Sequence, residues 1–218
     1  MTTKWDRWAT LSGALAVPFW LVAVILISTK AEGSKGPKIL ASYHAHSDGI
    51  LLAGLLWSIG VLLFIWFLGS LRSHYLAAEG NHQGGRITAL AYGGGIAASI
   101  IAMLIPAADE VGALNKNDID FSGAAVLHHL SDGFFIGTEY TASILFFASA
   151  IMALRYAALP KWLGWLSLLI GIVLLIGPIG WAALIFATPI WTLIVSIWLY
   201  TQTEQPASTH APALGQTG

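Results

Sequence analysis

The chain has 218 residues, of which 56% are hydrophobic and only 10% are charged, and its formal net charge is −1. Soluble globular domains carry about 25% charged residues, so this composition excludes an ordinary soluble domain and indicates an integral membrane protein. A nearly neutral chain lacks the basic surface that nucleic-acid binding needs, and the absence of Cys excludes disulfides, thiolate nucleophiles and Cys-ligated metal sites.

The apolar segments predict an all-α fold, a polytopic bundle of six transmembrane helices, because each is close to the roughly 20 residues that a helix needs to cross a bilayer. They are predicted at residues 8–28, 48–70, 87–107, 133–154, 162–178 and 181–200. The first is too long for the apolar core of a signal peptide, so we expect it to be retained. We expect one transmembrane domain over residues 1–202 and a disordered cytoplasmic tail over residues 203–218, which are polar and rich in Ala, Pro and Thr.

The entry into the second apolar segment reads "YHAHSDGILL" and carries three titratable side chains, His44, His46 and Asp48. Pro is favoured in the first turn of a helix. A helix that begins near Pro37 would therefore place His44 and Asp48 four residues apart on one face. The pattern predicts a polar group at the mouth of an apolar helix.

The entry into the fourth segment, "LHHLSDGFFI", has the same design, with His128, His129 and Asp132. Glu139 follows seven residues after Asp132, two turns deeper on the same stripe. An ionisable residue inside a span costs about 2.5–3.5 kcal/mol on insertion scales, so such residues usually face a bundle interior or a polar cavity. Glu139 is therefore the strongest single pointer to a functional site.

Both motifs read H-x-x-S-D-G, and each is followed by an apolar span that ends in Leu-Arg. The repetition predicts a duplicated two-helix hairpin, in which helices two and three superpose on helices four and five. The two copies run in the same direction, so the symmetry axis would lie along the membrane normal.

The distribution of charge predicts the orientation. Six of the ten Lys and Arg residues lie at the predicted inner side, whereas eight of the eleven Asp and Glu residues lie outside or in the outer half. We expect a multi-pass protein of the bacterial plasma membrane with both termini cytoplasmic and both His motifs outside.

Three interpretations of the motifs remain open. In the structural one, Ser47, Asp48, Ser131 and Asp132 cap helices or complement the helix dipole. In the second, the His and carboxylate groups bind a divalent transition metal or relay protons. In the third, one His from each motif ligates haem. The hypothetical ligand set is His44, His46, Asp48, His128, His129, Asp132 and Glu139. We expect His44, Asp48, His128 and Asp132 to converge on one site near the outer surface, with Glu139 at its floor.

The stretches "YHAHSDGILLAGLLWSIGVLLFIWFLGSLRSHYLAAEG" and "LPKWLGWLSLLIGIVLL" resemble a family of small uncharacterised actinobacterial membrane proteins. The likeness covers roughly residues 8–178. It implies the six-helix fold and a plasma-membrane location, and it transfers no activity, cofactor or catalytic residue.

The working hypothesis is a binding or transport-like module with an outward-facing site for an ion, a metal or a proton. The alternatives are an accessory subunit of a membrane complex, a metal-dependent membrane enzyme that uses a bound water, and a bis-His haem protein. The expected partner is the lipid bilayer, with a homo-oligomer or a larger membrane complex as further expectations, and no nucleic acid.

Overall fold

The computed structural model describes residues 4–28, 35–80 and 85–202, which form helices and no strand. The predicted tail, residues 203–218, lies outside the described residues. The helices are α1 (Lys4–Ser28), α2 (Gly36–Glu79), α3 (Arg86–Leu114), α4 (Phe121–Tyr156), α5 (Lys161–Leu174), α6 (Gly177–Ala182) and α7 (Thr188–Gln202), with a π-helical turn at Ala183–Ala187 that joins α6 to α7.

Five of the described helical segments are long and apolar enough to cross a membrane. The predicted all-α fold is confirmed for these residues, and the length and composition of the five helices are consistent with a multi-pass membrane protein. The predicted count of six spans is not confirmed, because α5 has only 14 residues. A helix of that length rises about 21 Å, which is less than the hydrocarbon thickness of about 30 Å. Residues 175 and 176 break the helical path between α5 and α6.

The predicted duplication also remains unconfirmed. The α2–α3 hairpin pairs helices of 44 and 29 residues, whereas the α4–α5 hairpin pairs helices of 36 and 14 residues. The two motifs do occupy comparable positions, because each lies about two turns after the start of a long helix. The superposition of the two hairpins stays a prediction.

Two helices are much longer than a bilayer. Helix α2 would rise about 66 Å and α4 about 54 Å, and both begin twelve residues before the apolar segments predicted at 48 and 133. With a hydrocarbon core of about 30 Å, neither helix can lie within it along its whole length. We expect the early parts of α2 and α4, which precede the predicted apolar segments, to extend beyond it together with the end of α3. We call residues 36–50, 105–114 and 121–132 the protruding layer. Its small apolar cluster consists of Ile39, Tyr43, Ala113 and Ala124.

Small residues let α3 approach its neighbours closely. A Cβ at Gly94 would lie 2.7 Å from the Ile144 Cβ on α4, and a Cβ at Gly95 would lie 2.8 Å from Leu68 on α2. Both distances are below van der Waals contact, so a larger side chain at either position would force its neighbour to shift. Small residues of this kind let helix backbones approach closely.

Pro106 interrupts the hydrogen-bond ladder of α3, since it has no N–H to donate to the carbonyl of Ala102. The indole of Trp57 on α2 supplies the missing donor, with Nε1 2.8 Å from the Ala102 oxygen. One turn away, the Ser131 hydroxyl of α4 donates to the Ile105 carbonyl at 2.8 Å. These two hydrogen bonds fix the positions of α2 and α4 along the axis of α3. Those positions determine which side chains contact Asp109 near the end of α3.

Glu79 lies at the opposite end of the bundle, where Arg155 also lies, and it is buried but fully paired. The Glu79 carboxylate accepts hydrogen bonds from the N–H groups of Ile87 and Thr88, at 3.0 and 2.9 Å, and from the Thr88 hydroxyl at 2.7 Å. It thereby satisfies donors in the first turn of α3. At the same end, the Nε2 of His74 lies 2.6 Å from the Ala158 carbonyl at the α4–α5 connection.

Ala157 ends α4 in the left-handed conformation, with φ +52°, and is the one non-Gly residue with positive φ in the described part of the chain. A left-handed residue other than Gly is strained by roughly 1–2 kcal/mol. We expect Ala157→Gly to raise the free energy of unfolding by up to about 1 kcal/mol and the melting temperature by a few degrees. Thermal unfolding in detergent measures this effect.

The matched control is Ala158→Gly, one residue further, where φ is not positive. This control should gain no stability. Equal behaviour of the two variants would contradict the strain at Ala157.

Candidate functional site

Asp109 is the centre of a hydrogen-bonded cluster that joins three helices in the protruding layer. Its Oδ1 accepts the Tyr43 hydroxyl of α2 at 2.7 Å and lies 3.1 Å from Nδ1 of His128 on α4. The second distance allows an Nδ1–H to donate to the carboxylate. We call Tyr43, Asp109 and His128 the outer cluster, after the side of the membrane on which the sequence predicts both His motifs.

Packing below the hydroxyl holds Tyr43 in position. The Tyr43 ring is buried, and it lies against Gly112, one turn beyond Asp109 on α3. A Cβ at residue 112 would come within 2.3 Å of the ring, so the absence of a side chain there makes room for the phenol. His128 is placed by the register of α4, which the bond from Ser131 to Ile105 sets one turn below.

The cluster is partly open to solvent. The side chains of His128 and Asp109 are 24% and 21% exposed. The ordinary pKa of imidazole is near 6.5, so it changes charge within the physiological range. A phenol, a carboxylate and an imidazole in one hydrogen-bonded chain can bind a proton and pass it between water and the carboxylate.

Of the seven residues in the predicted ligand set, only His128 belongs to the outer cluster. His44, His46 and Asp48 are exposed on α2. The backbone at His46 leaves helical geometry, with φ −130° and ψ 21°, so the four-residue spacing from His44 to Asp48 does not define one regular helical face. The sequence argument assumed an unbroken helix there.

His129 and Asp132 form a separate, exposed pair along α4. The His129 Nδ1 lies 3.5 Å from the Asp132 Oδ2, and the two side chains are 58% and 64% exposed. Throughout residues 4–28, 35–80 and 85–202, no three His, Asp or Glu side chains are grouped closely enough to hold a metal ion. The structure therefore does not bring the two His–Asp pairs together in one site. It gives the metal interpretation no geometric support.

The interpretation of the motif residues as helix caps is wrong. Ser47 and Ser131 lie inside helices that begin at Gly36 and Phe121. The Ser47 hydroxyl accepts Lys116 Nζ at 2.8 Å, and Asp120 caps α4 by accepting the N–H of Gly123 at 2.7 Å. Tertiary contacts of the protruding layer extend both helices beyond their apolar segments.

Glu139 lies apart from the outer cluster. It is eleven residues beyond His128 on α4, a helical rise of about 16 Å. The prediction that it faces the bundle interior is confirmed by its 1% exposure. Its carboxylate approaches Gly180 of α6, so it does not form the floor of the Tyr43–Asp109–His128 cluster.

The sequence reasoning missed Tyr43 and Asp109 as site residues. A signal for each was present, because Tyr43 directly precedes His44 and Asp109 begins an acidic pair at the end of an apolar segment. Their meeting depends on the depth to which α2 and α4 pack on α3, which sequence spacing does not contain.

Comparison with protein families, with curated proteins and with solved structures found no match to this chain. The resemblance to small actinobacterial membrane proteins therefore stays a prediction. The interpretation of the outer cluster rests on its own geometry.

The contact between Gly112 and Tyr43 can be tested directly. Gly112→Ala would place a methyl group 2.3–2.6 Å from the ring, so we expect Tyr43 to be displaced. The free energy of unfolding should fall by about 1–3 kcal/mol, the usual range for overpacking. Thermal unfolding measures the loss.

In a Tyr43→Ala/Gly112→Ala double variant, the free energy of unfolding should fall by less than the sum of the losses in the two single variants, because the methyl group then has room. Gly133→Ala is the control, since no atom lies within 4 Å of a Cβ there. An effect at Gly133 as large as that at Gly112 would contradict the steric argument.

Proposed function

We propose that this protein is a multi-pass protein of the bacterial plasma membrane that binds and exchanges protons at the outer cluster, as the first step of a proton- or ion-coupled, transport-like activity. The observation that carries the proposal is the Asp109 carboxylate. This carboxylate is hydrogen-bonded to both a phenol and an imidazole, and it is partly open to solvent. It lies at the end of a bundle whose helices are apolar enough to cross a membrane.

The donor set favours a proton over a metal ion. Protein zinc sites use three or four protein ligands, whereas the outer cluster offers one imidazole and one carboxylate. The Asp109 Oδ1 is already engaged by Tyr43 and His128. A proton needs no further ligand, because it can reside on His128 or on the carboxylate within the existing hydrogen bonds.

The charge distribution supports an outward-facing cluster. Arg72, Arg155 and Lys161 lie at the end of the bundle away from Asp109, and Lys and Arg near the ends of spans favour the cytoplasmic side. The protruding layer carries carboxylates at Asp109, Glu110 and Asp132 among others. In this orientation both termini are cytoplasmic, and His128 exchanges protons with the external solution.

Proteoliposomes that contain an internal pH dye test the proposal. After an external acid pulse, we expect wild-type protein to acidify the lumen faster than empty vesicles. His128→Ala and Asp109→Asn should reduce the protein-dependent rate about a hundredfold or more, from the lower end of the contribution of a positioned proton-transfer group upward.

His129→Ala is the matched control, because it removes the adjacent imidazole, which pairs with Asp132 on its own helix. This control should retain the wild-type rate. A wild-type rate equal to that of empty vesicles, or equal losses in His128→Ala and His129→Ala, would refute proton exchange at the outer cluster.

Exposed apolar side chains in the protruding layer favour a second candidate, an accessory subunit of a membrane complex. Leu114, Phe121 and Val126 are 67%, 58% and 63% exposed. They lie in the protruding layer, outside the apolar segments predicted from the sequence. Exposed apolar surface outside a bilayer marks interaction sites in other proteins.

Native electrophoresis of membranes that contain the tagged protein tests this candidate. We expect wild type to migrate in an assembly larger than the monomer, and Val126→Glu to abolish that assembly. Ser122→Glu, which adds the same charge to an exposed position one turn away, is the control. A wild-type protein that migrates as a monomer would exclude the subunit role.

A further inference from the structure

Glu139 is a buried carboxyl group that the outer cluster does not use. It lies in α4, which is long and apolar enough to cross a membrane, and its exposure is 1%. Neither Oε1 nor Oε2 has a hydrogen-bond partner among the described residues. A polar group buried in this way is costly, and natural structures rarely keep one without a role.

Glu79 provides the comparison within the same chain. It is also buried, at 2% exposure, but it accepts three hydrogen bonds from Ile87 and Thr88 at the start of α3. Glu79 therefore has a structural role as a cap, and its negative charge is compensated by oriented donors. Glu139 has the same burial without any of these donors, so a capping role does not explain it.

The surroundings of Glu139 are nearly free of polar partners. A Cβ at Gly180 would lie 2.8 Å from Oε2 and 3.0 Å from Oε1, so the backbone of α6 covers the carboxylate directly. The neighbouring Thr138 hydroxyl donates to the Phe134 carbonyl, and Tyr140 is exposed on another face of α4. From α4 and α6, which pack around it, no described charged side chain pairs with Glu139.

This arrangement favours a proton over a divalent cation. A bound Ca²⁺ or Mg²⁺ takes six or more oxygen ligands, and no group of three His, Asp or Glu side chains lies around Glu139 among the described residues. An added proton neutralises the carboxylate and removes most of the cost of burying it. We propose that Glu139 is a second protonatable site, a carboxyl group inside the membrane-spanning bundle that takes up and releases a proton.

The segment that covers Glu139 is not a regular helix. The α5–α6 connection breaks at residues 175 and 176, and the path after α6 widens into the π-helical turn Ala183–Ala187. Such turns often accompany functional sites. A cavity of about 60 Å³ reaches from Thr138, beside Glu139, to Leu184 and Thr188 at this turn.

An apolar carbodiimide, dicyclohexylcarbodiimide, tests the inference on the intact wild-type protein. This reagent modifies protonated carboxyl groups in apolar surroundings, and mass spectrometry of peptides identifies the modified residue. We expect modification at Glu139 and none at Glu79, which is buried but compensated. The modified fraction should fall about tenfold per pH unit once the carboxyl group ionises.

Two variants separate this inference from the proposed function, on which it does not depend. Glu139→Gln should abolish modification at this position while retaining the wild-type melting temperature, because the amide keeps the shape and carries no charge. Asp109→Asn should leave the modification of Glu139 unchanged even where it abolishes proton uptake at the outer cluster.

Wild-type protein that is unmodified at Glu139 when folded, yet modified there after unfolding at the same acidic pH, would overturn the inference. So would modification that does not change with pH. Since both results come from wild type, a folding defect in Glu139→Gln would not obscure them.

Discussion

The constraint on which this structure depends is that polar groups inside an apolar bundle must find partners within the protein. Pro106 shows how the chain satisfies this constraint. The carbonyl of Ala102, which Pro106 leaves without its helical donor, is satisfied by the indole of Trp57 from α2. The repair of one helix therefore fixes the position of another.

The two buried carboxyl groups differ in their hydrogen-bond partners. Glu79 meets three donors at the start of α3 and serves the fold, whereas Glu139 meets none and is covered by the backbone at Gly180. Burial alone does not distinguish the two residues. What distinguishes them is the supply of hydrogen-bond donors, which determines whether a negative charge can be held inside the protein.

The excess length of α2 and α4 creates a layer in which apolar packing and polar chemistry coexist. Ile39, Ala113 and Ala124 form a small apolar cluster around Tyr43, and Tyr43 carries its hydroxyl from that cluster to Asp109. The phenol thus links packing to the polar site, because its ring is buried while its oxygen reaches a partly exposed carboxylate. His128 completes the site from α4.

The sequence by itself determined the all-helical fold and the helices long and apolar enough to cross a membrane, because a low charged fraction and long apolar runs leave few alternatives to helices in a bilayer. It also identified Glu139 as buried, since a carboxyl group in such a run avoids lipid. Gly94 and Gly95 could be assigned to helix packing for a similar reason: small side chains allow backbones to approach. These are local properties, and neighbouring residues in the chain are enough to reveal them.

Only the tertiary structure decided which polar groups meet. His44 and His128 stand in matching motifs, yet His128 pairs with Asp109, and His44 is exposed on a helix that departs from regular geometry at His46. Spacing along one helix predicts a shared face, but the depth and rotation of one helix against another follow from contacts such as that between Gly112 and the Tyr43 ring. Those contacts join residues far apart in the chain, and they arise only when the helices pack together.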